Sequence, residues 1–227
     1  MSSWQRFAEA FLDWDVIVQY LPAIGSGLIV TVEIAALVVI CGIVLGLVLV
    51  VLRSYRITVV NWLIIAFVDT LRSVPPLVLI LLLYFGMPNI GINMGGFVVV
   101  WLVLTLVLAA FAEEIFWAGL LSVDKGQWQA ARSTGLGYTQ ALIYVVMPQA
   151  VRMTIPPLTN RTIAITKNTA LGTVIGVAEI MNEATTAVSF SGNASPLFVG
   201  ALAYVMLFVP VVYLGRWIET RFAWRKN

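Results

Sequence analysis

The sequence contains no histidine, one cysteine and only three lysines in 227 residues. The missing histidine excludes most metal sites and the Ser-His and Cys-His forms of nucleophilic catalysis. The lone Cys41 sits in an apolar run. It allows no disulfide within the chain and is expected to pack as a small hydrophobe. None of Lys125, Lys167 and Lys226 completes a G-x4-G-K-S/T pattern, so no phosphate-binding loop is present. Charge is scarce as well: 11% of residues carry one, against about 25% in a typical soluble domain. The net charge of +2 is too small to point to nucleic acid. Near the N-terminus, Glu9, Asp13 and Asp15 interrupt what would have to be the apolar core of a secretory signal.

Apolar residues make up 61% of the chain, and the mean hydropathy is +0.98. Such a composition calls for an all-α integral membrane protein, here a single domain over residues 1–227. A spanning helix needs roughly 20 mostly apolar residues. Five candidates meet that length, at about 28–52, 62–85, 97–123, 162–181 and 197–217. The fourth is the least apolar, being rich in Thr, Ala and Gly. Arg53, Arg56, Lys125, Arg132, Arg152, Arg161 and Lys167 fall on one side of this arrangement. Arg216, Arg221, Arg225 and Lys226 join them there, and residues 86–96 and 182–196 hold no Lys or Arg. The positive-inside rule then puts the N-terminus outside and the C-terminus in the cytoplasm of a cell-membrane protein.

One polar stretch stands out between the third and fourth spans. Residues 127–135 read Gln-Trp-Gln-Ala-Ala-Arg-Ser-Thr-Gly, and Val145, Met147 and Pro148 follow. Ala130 and Ala131 ahead of Gly135 predict a short helix with a small-residue face, closed by a residue that tolerates positive φ. A partner's surface can approach such a face closely, with Trp128, Arg132 and Tyr138 flanking it.

The spacing resembles the coupling loop of ABC-importer permeases, E-A-A-x3-G-x9-I-x-L-P, with Gln129 for Glu, Val145 for Ile and Met147 for Leu. It is most similar to the polar amino acid permeases. Leu71 to Leu77, Tyr84 to Pro88, Pro156 to Asn160 and Lys167 to Leu171 extend the similarity along most of the chain. The resemblance implies a type I importer permease that forms the pathway for a polar or charged amino acid. It implies two separate ATP-binding subunits that carry ATP and Mg, a second permease subunit, identical or homologous, and an extracytoplasmic binding protein. This chain would bind no cofactor itself. Gln129, Ala130, Ala131, Arg132, Gly135 and Pro148 would belong to a coupling loop at about 124–156. Two departures matter. Gln129 cannot form the salt bridge that a glutamate can. Glu114-Ile-Phe-Trp117 stands where the family has E-I-x-R, which puts an ion pair inside the third span in question.

Several polar residues in the spans can be read in two ways. Glu113 and Glu114 must face protein or water, since a charge in lipid costs on the order of 2.5–3.5 kcal/mol. Both substrate contact and helix packing fit them. Asp69 and Arg72 lie about one helical turn apart and can pair. Pro75 and Pro76 predict a break in the second span. In the fourth, Asn168, Gly172, Gly176, Glu179 and Glu183 recur at helical spacing and predict one face. That face either lines the path or packs through its glycines. With Glu113 and Arg72, its first four residues are the candidate pathway. A membrane enzyme or scaffold using Asp69, Glu113 and Glu114 is the alternative from another class, and a permease for another small solute is the nearer one.

Overall fold

A computed structural model describes residues 2–222, and these are helical almost throughout, with no strand among them. Arg225 and Lys226, the last two charges of the predicted cytoplasmic cluster, lie outside the described residues. The helices are α1 (Ser3–Phe11), α2 (Trp14–Ser54), α3 (Thr58–Ser73), α4 (Pro76–Gly86), α5 (Gly96–Ser122), α6 (Lys125–Ser133), α7 (Tyr138–Ala141), α8 (Met147–Thr166), α9 (Ile180–Ser191) and α10 (Ser195–Phe222). Four helical stretches are long and apolar enough to cross a membrane, and a fifth is added if α3 and α4 count as one broken span. The chain divides into two compact units. One comprises Met1–Val39, Pro75–Thr105 and Ile165–Val211, the other Ile40–Val74, Leu106–Ala164 and Val212–Asn227.

The predicted break in the second span is present. α3 ends at Ser73, Val74 is extended (φ −94°, ψ 130°), and α4 begins at Pro76. A residue before proline is pushed out of the helical region by the proline ring, so two adjacent prolines separate two helices here.

The fourth span departs from expectation. The α-helix ends at Thr166, a 3-10 segment runs over Lys167–Ile175, and Gly176 closes it in the left-handed region at φ +73°. Glu179 then caps a new helix, α9. A 3-10 helix has three residues per turn, so positions four apart no longer share a face. Asn168, Gly172, Gly176 and Glu179 therefore do not form the single α-helical stripe that their spacing predicts. The sequence permits this because residues 167–176 mix small, β-branched and polar residues, which hold an α-helix weakly.

In the first unit, Gly27 of α2 lets the start of α9 approach. A Cβ there would lie 2.9 Å from the Glu179 carbonyl carbon. Thr31, one turn on, accepts from the Ile180 amide at 3.3 Å. Ile24, Ile180, Ala184, Val199 and Ala203 fill the core around that contact. The α1–α2 corner is tied to the α9–α10 corner by Ala194 N–H donating to the Ala10 carbonyl and by Asp13 N–H donating to Ser195 Oγ. On α1, Trp4, Phe7 and Phe11 are exposed on one stripe and stack in succession at 5.6 and 5.0 Å.

In the second unit, α5 is the central element. Gly42 and Gly46 of α2 face it, and a Cβ on Gly46 would meet Ala112 Cβ at 2.6 Å. This is close helix packing through small residues. Gly119 plays the same part toward α8, where a Cβ would meet the Ala150 carbonyl oxygen at 3.0 Å. Phe116 and Leu120 of α5, with Val123 just beyond its end, bury against Val50, Leu142, Val146, Met147 and Ala150.

Candidate functional site

The polar stretch folds as the sequence predicts, as a short helix followed by a glycine turn. Asp124 caps α6 by accepting from the Gly126 amide at 2.6 Å, satisfying one of the free donors at the helix start. Gly135 adopts φ +90° with open space around it, a conformation that costs other residues strain. Arg132 closes the turn by donating to the Leu136 carbonyl at 3.2 Å. Gln129, Ala130 and Arg132 are exposed, whereas Ala131 is only 6% exposed. This corrects the expectation that both alanines form an outward face. Successive helical residues differ by about 100°, so one of two neighbours turns inward.

The stretch is held firmly from behind. The Tyr138 hydroxyl donates to the Ser54 carbonyl at 2.6 Å, and Tyr138 stacks on Trp128 at 5.2 Å and leans on Tyr55 at 5.7 Å. Trp128, expected as a flanking contact residue, is half-buried as part of this clamp. Ser54, Tyr55, Arg56, Tyr138 and Thr139 line an open hollow of about 310 Å³. Beyond Ala141 the helix widens to a π-helical turn over Leu142–Val146 before α8 begins at Met147. Pro148 accounts for this: it has no N–H for the carbonyl four residues back, and its ring would clash with that carbonyl. The motif thus divides by role. Gln129, Ala130, Arg132 and Gly135 are presented to solvent, whereas Met147 is buried and anchors the segment.

The charges of the third span are paired after all. Glu113 is fully buried and accepts from Arg53 of α2 at 2.9 and 3.1 Å. Trp117, which replaces the family's arginine, lies under that same guanidinium at 4.4 Å. The cation therefore comes from another helix. Glu114 pairs with Arg72 at 2.5 Å. The predicted Asp69–Arg72 pair is not made, because Arg72 reaches across to α5 instead.

The remaining pathway candidates divide similarly. Glu179 is fully buried and accepts from the Met181 and Asn182 amides and from the Tyr204 hydroxyl at 3.0, 2.8 and 2.7 Å. Gly172 is buried, and a Cβ there would lie 3.1 Å from Val177 Cβ. Gly176 is exposed with nothing near its missing Cβ, and Asn168 is half-buried. Glu113, Glu179 and Gly172 are thus taken up by packing within the chain. Asn168, Gly176 and Arg72 remain accessible. Sequence reasoning missed Arg53, whose partner lies sixty positions away.

Residues 39–224 match the family described as "Binding-protein-dependent transport system inner membrane component". The chain is 35% identical over 207 residues to the probable glutamine ABC transporter permease protein GlnP of Bacillus subtilis, covering 89% of this chain and 95% of that one. It is 30% identical over 212 residues to the arginine transport system permease protein ArtQ of Bacillus subtilis, covering 92% and 97%. The solved structure described as "Crystal structure of an amino acid ABC transporter with histidines" superposes with a TM-score of 0.84 at 31% identity, covering 92% of this chain and 98% of that one. The buried helix contacts, the proline-broken second span and the clamped polar loop therefore belong to a multi-pass inner-membrane transport component rather than a membrane enzyme, and the chain is a member of this binding-protein-dependent family, a permease subunit of the amino-acid ABC importer type.

Proposed function

We propose that the chain forms half of the translocation pathway for a polar or charged amino acid and draws its energy from ATP hydrolysed, with Mg, on two separate subunits. The observation that carries this reading is the α6 segment: an exposed Gln129, Ala130 and Arg132 surface, backed by the Trp128–Tyr138–Tyr55 clamp. A small exposed residue between longer polar ones suits insertion into a partner's groove, and the clamp transmits the partner's movement instead of absorbing it. The absence of a phosphate-binding loop from the sequence agrees with an ATPase carried elsewhere. A second permease, identical or homologous, completes the path, and an extracytoplasmic binding protein delivers the solute, as the family description suggests. The run of basic residues supports an orientation with the coupling segment in the cytoplasm and the N-terminus outside.

Ala130→Arg tests the docking surface. It should abolish co-purification of the ATP-binding subunit and uptake together, while membrane insertion persists. Ala131→Arg acts differently: the buried position makes it disrupt the permease fold itself. Normal ATPase recovery with Ala130→Arg would refute docking through this face. Robust ATP hydrolysis by the isolated chain would refute the division of labour.

A further inference from the structure

Resting on the permease reading, we propose that Arg161 binds a carboxylate of the translocated amino acid. Its guanidinium carbon lies 3.7 Å from the centroid of the Phe111 ring. Phe111 is two residues past the midpoint of α5, a 27-residue spanning helix, so this charge rests on a side chain whose backbone lies about 3 Å along the axis from the helix centre. The Arg72 guanidinium lies over the same ring at 5.4 Å. Arg72 has a carboxylate partner in Glu114, and the nearby Arg53 has one in Glu113. Among the described residues no carboxylate pairs with Arg161. Two guanidiniums lie over one aromatic ring and the one carboxylate among them, Glu114, is paired with Arg72, which leaves the Arg161 charge without a carboxylate partner among the described residues, beside the middle of a spanning helix.

A lone cation at that depth is costly unless it faces protein or a water-filled cavity, and an ionisable residue kept there marks a solute path by default. The partner that the site lacks is an anion. The guanidinium fork matches a carboxylate with two parallel hydrogen bonds. The ring beneath fixes the plane of the guanidinium by cation–π contact, so the fork is held in place before the ligand arrives. Every amino acid supplies an α-carboxylate, and an acidic one supplies a second on its side chain; the chemistry at Arg161 is the same for both.

The test uses the whole complex, permease with its ATP-binding subunit and binding protein, in proteoliposomes, with glutamate, glutamine and arginine as probes. If the unaltered complex moves no amino acid, the permease reading fails before this proposal is reached. With a transported probe in hand, Arg161→Met keeps an unbranched chain against Phe111 and removes the charge. The apparent KM should rise about ten- to hundred-fold, the range of a lost charged hydrogen bond, with assembly and basal ATPase activity unchanged. A loss confined to glutamate assigns the side-chain carboxylate, and an equal loss for all transported probes assigns the α-carboxylate. Unchanged uptake kinetics overturn the proposal. So does a fall in uptake matched by a fall in assembly and reproduced by Phe111→Leu, which would make Arg161 a packing residue. Should Arg161→Met fail to assemble, Arg161→Lys decides: it keeps the charge but not the fork, so KM must rise in the assembled complex, and an unaltered KM overturns the assignment.

Discussion

Glu113 and Glu179 are both fully buried, yet they are held in opposite ways. Glu113 is held by a full countercharge, the Arg53 guanidinium brought in from α2. Glu179 has no cation partner among the described residues; two amides of the α9 first turn and the Tyr204 hydroxyl surround it. The helix N-terminus carries a partial positive charge, and three donors spread the carboxylate's charge over neutral groups. The difference predicts distinct failure modes. Removing one half of an ion pair strands a charge. Removing a capping acceptor strands neutral donors, which is a smaller loss.

The largest effect should come from Glu113→Leu. Arg53 would be left mostly buried without a partner, at a cost of about 3–5 kcal/mol, read as a sharp drop in the unfolding midpoint of the purified complex. Adding Arg53→Met should recover most of it, since an apolar pair often replaces a buried ion pair without loss. No recovery in the double variant would mean that Trp117 and its neighbours need the cation for itself. Next comes Glu179→Ala, at about 2 kcal/mol for a lost cap and an unpaired Tyr204 hydroxyl. If it matched Glu113→Leu in unfolding midpoint, the contrast between countercharge and dipole would collapse. The smallest should be Thr31→Val, about 1 kcal/mol, because it removes the long bond from the Ile180 amide and the Thr31 hydroxyl's own donation to the Gly27 carbonyl within α2. A loss as large as that of Glu179→Ala would show that Thr31, and not the carboxylate, sets the start of α9.

What the sequence revealed follows from how local each feature is. The polar segment around α6 was legible because its turn, cap and proline all act within about twenty residues. The break at Val74–Pro75 was legible because proline constrains its own neighbours. The partners of Glu113 and Glu114 were not. Spacing along one helix offers Asp69 to Arg72, but it cannot show that α5 presents a nearer carboxylate. Nor could the pattern choose between Ala130 and Ala131, since a nine-residue helix with few apolar residues does not reveal its phase. The fourth span was misread because an α-helical period was assumed where a 3-10 turn and a left-handed glycine intervene. A Gly176→Leu variant would therefore be a poor probe of the path. At φ +73° any side chain is strained, so that variant reports backbone conformation rather than passage of solute.

The run from Tyr138 through the π turn to Thr166 is one unbroken stretch of helical backbone. Mechanically it is a rod about 34 Å long between Tyr138, clamped beside α6, and Arg161. The rod is not uniformly stiff. The π turn at 142–146 and the pair Pro156–Pro157 are joints where the hydrogen-bond ladder is irregular or missing a rung. Any displacement of α6 would therefore reach Arg161 through two compliant points in series. Stiffening either joint, for example by replacing Pro157 with Ala, would lengthen the rigid arm and alter how far the guanidinium travels for a given stroke at α6.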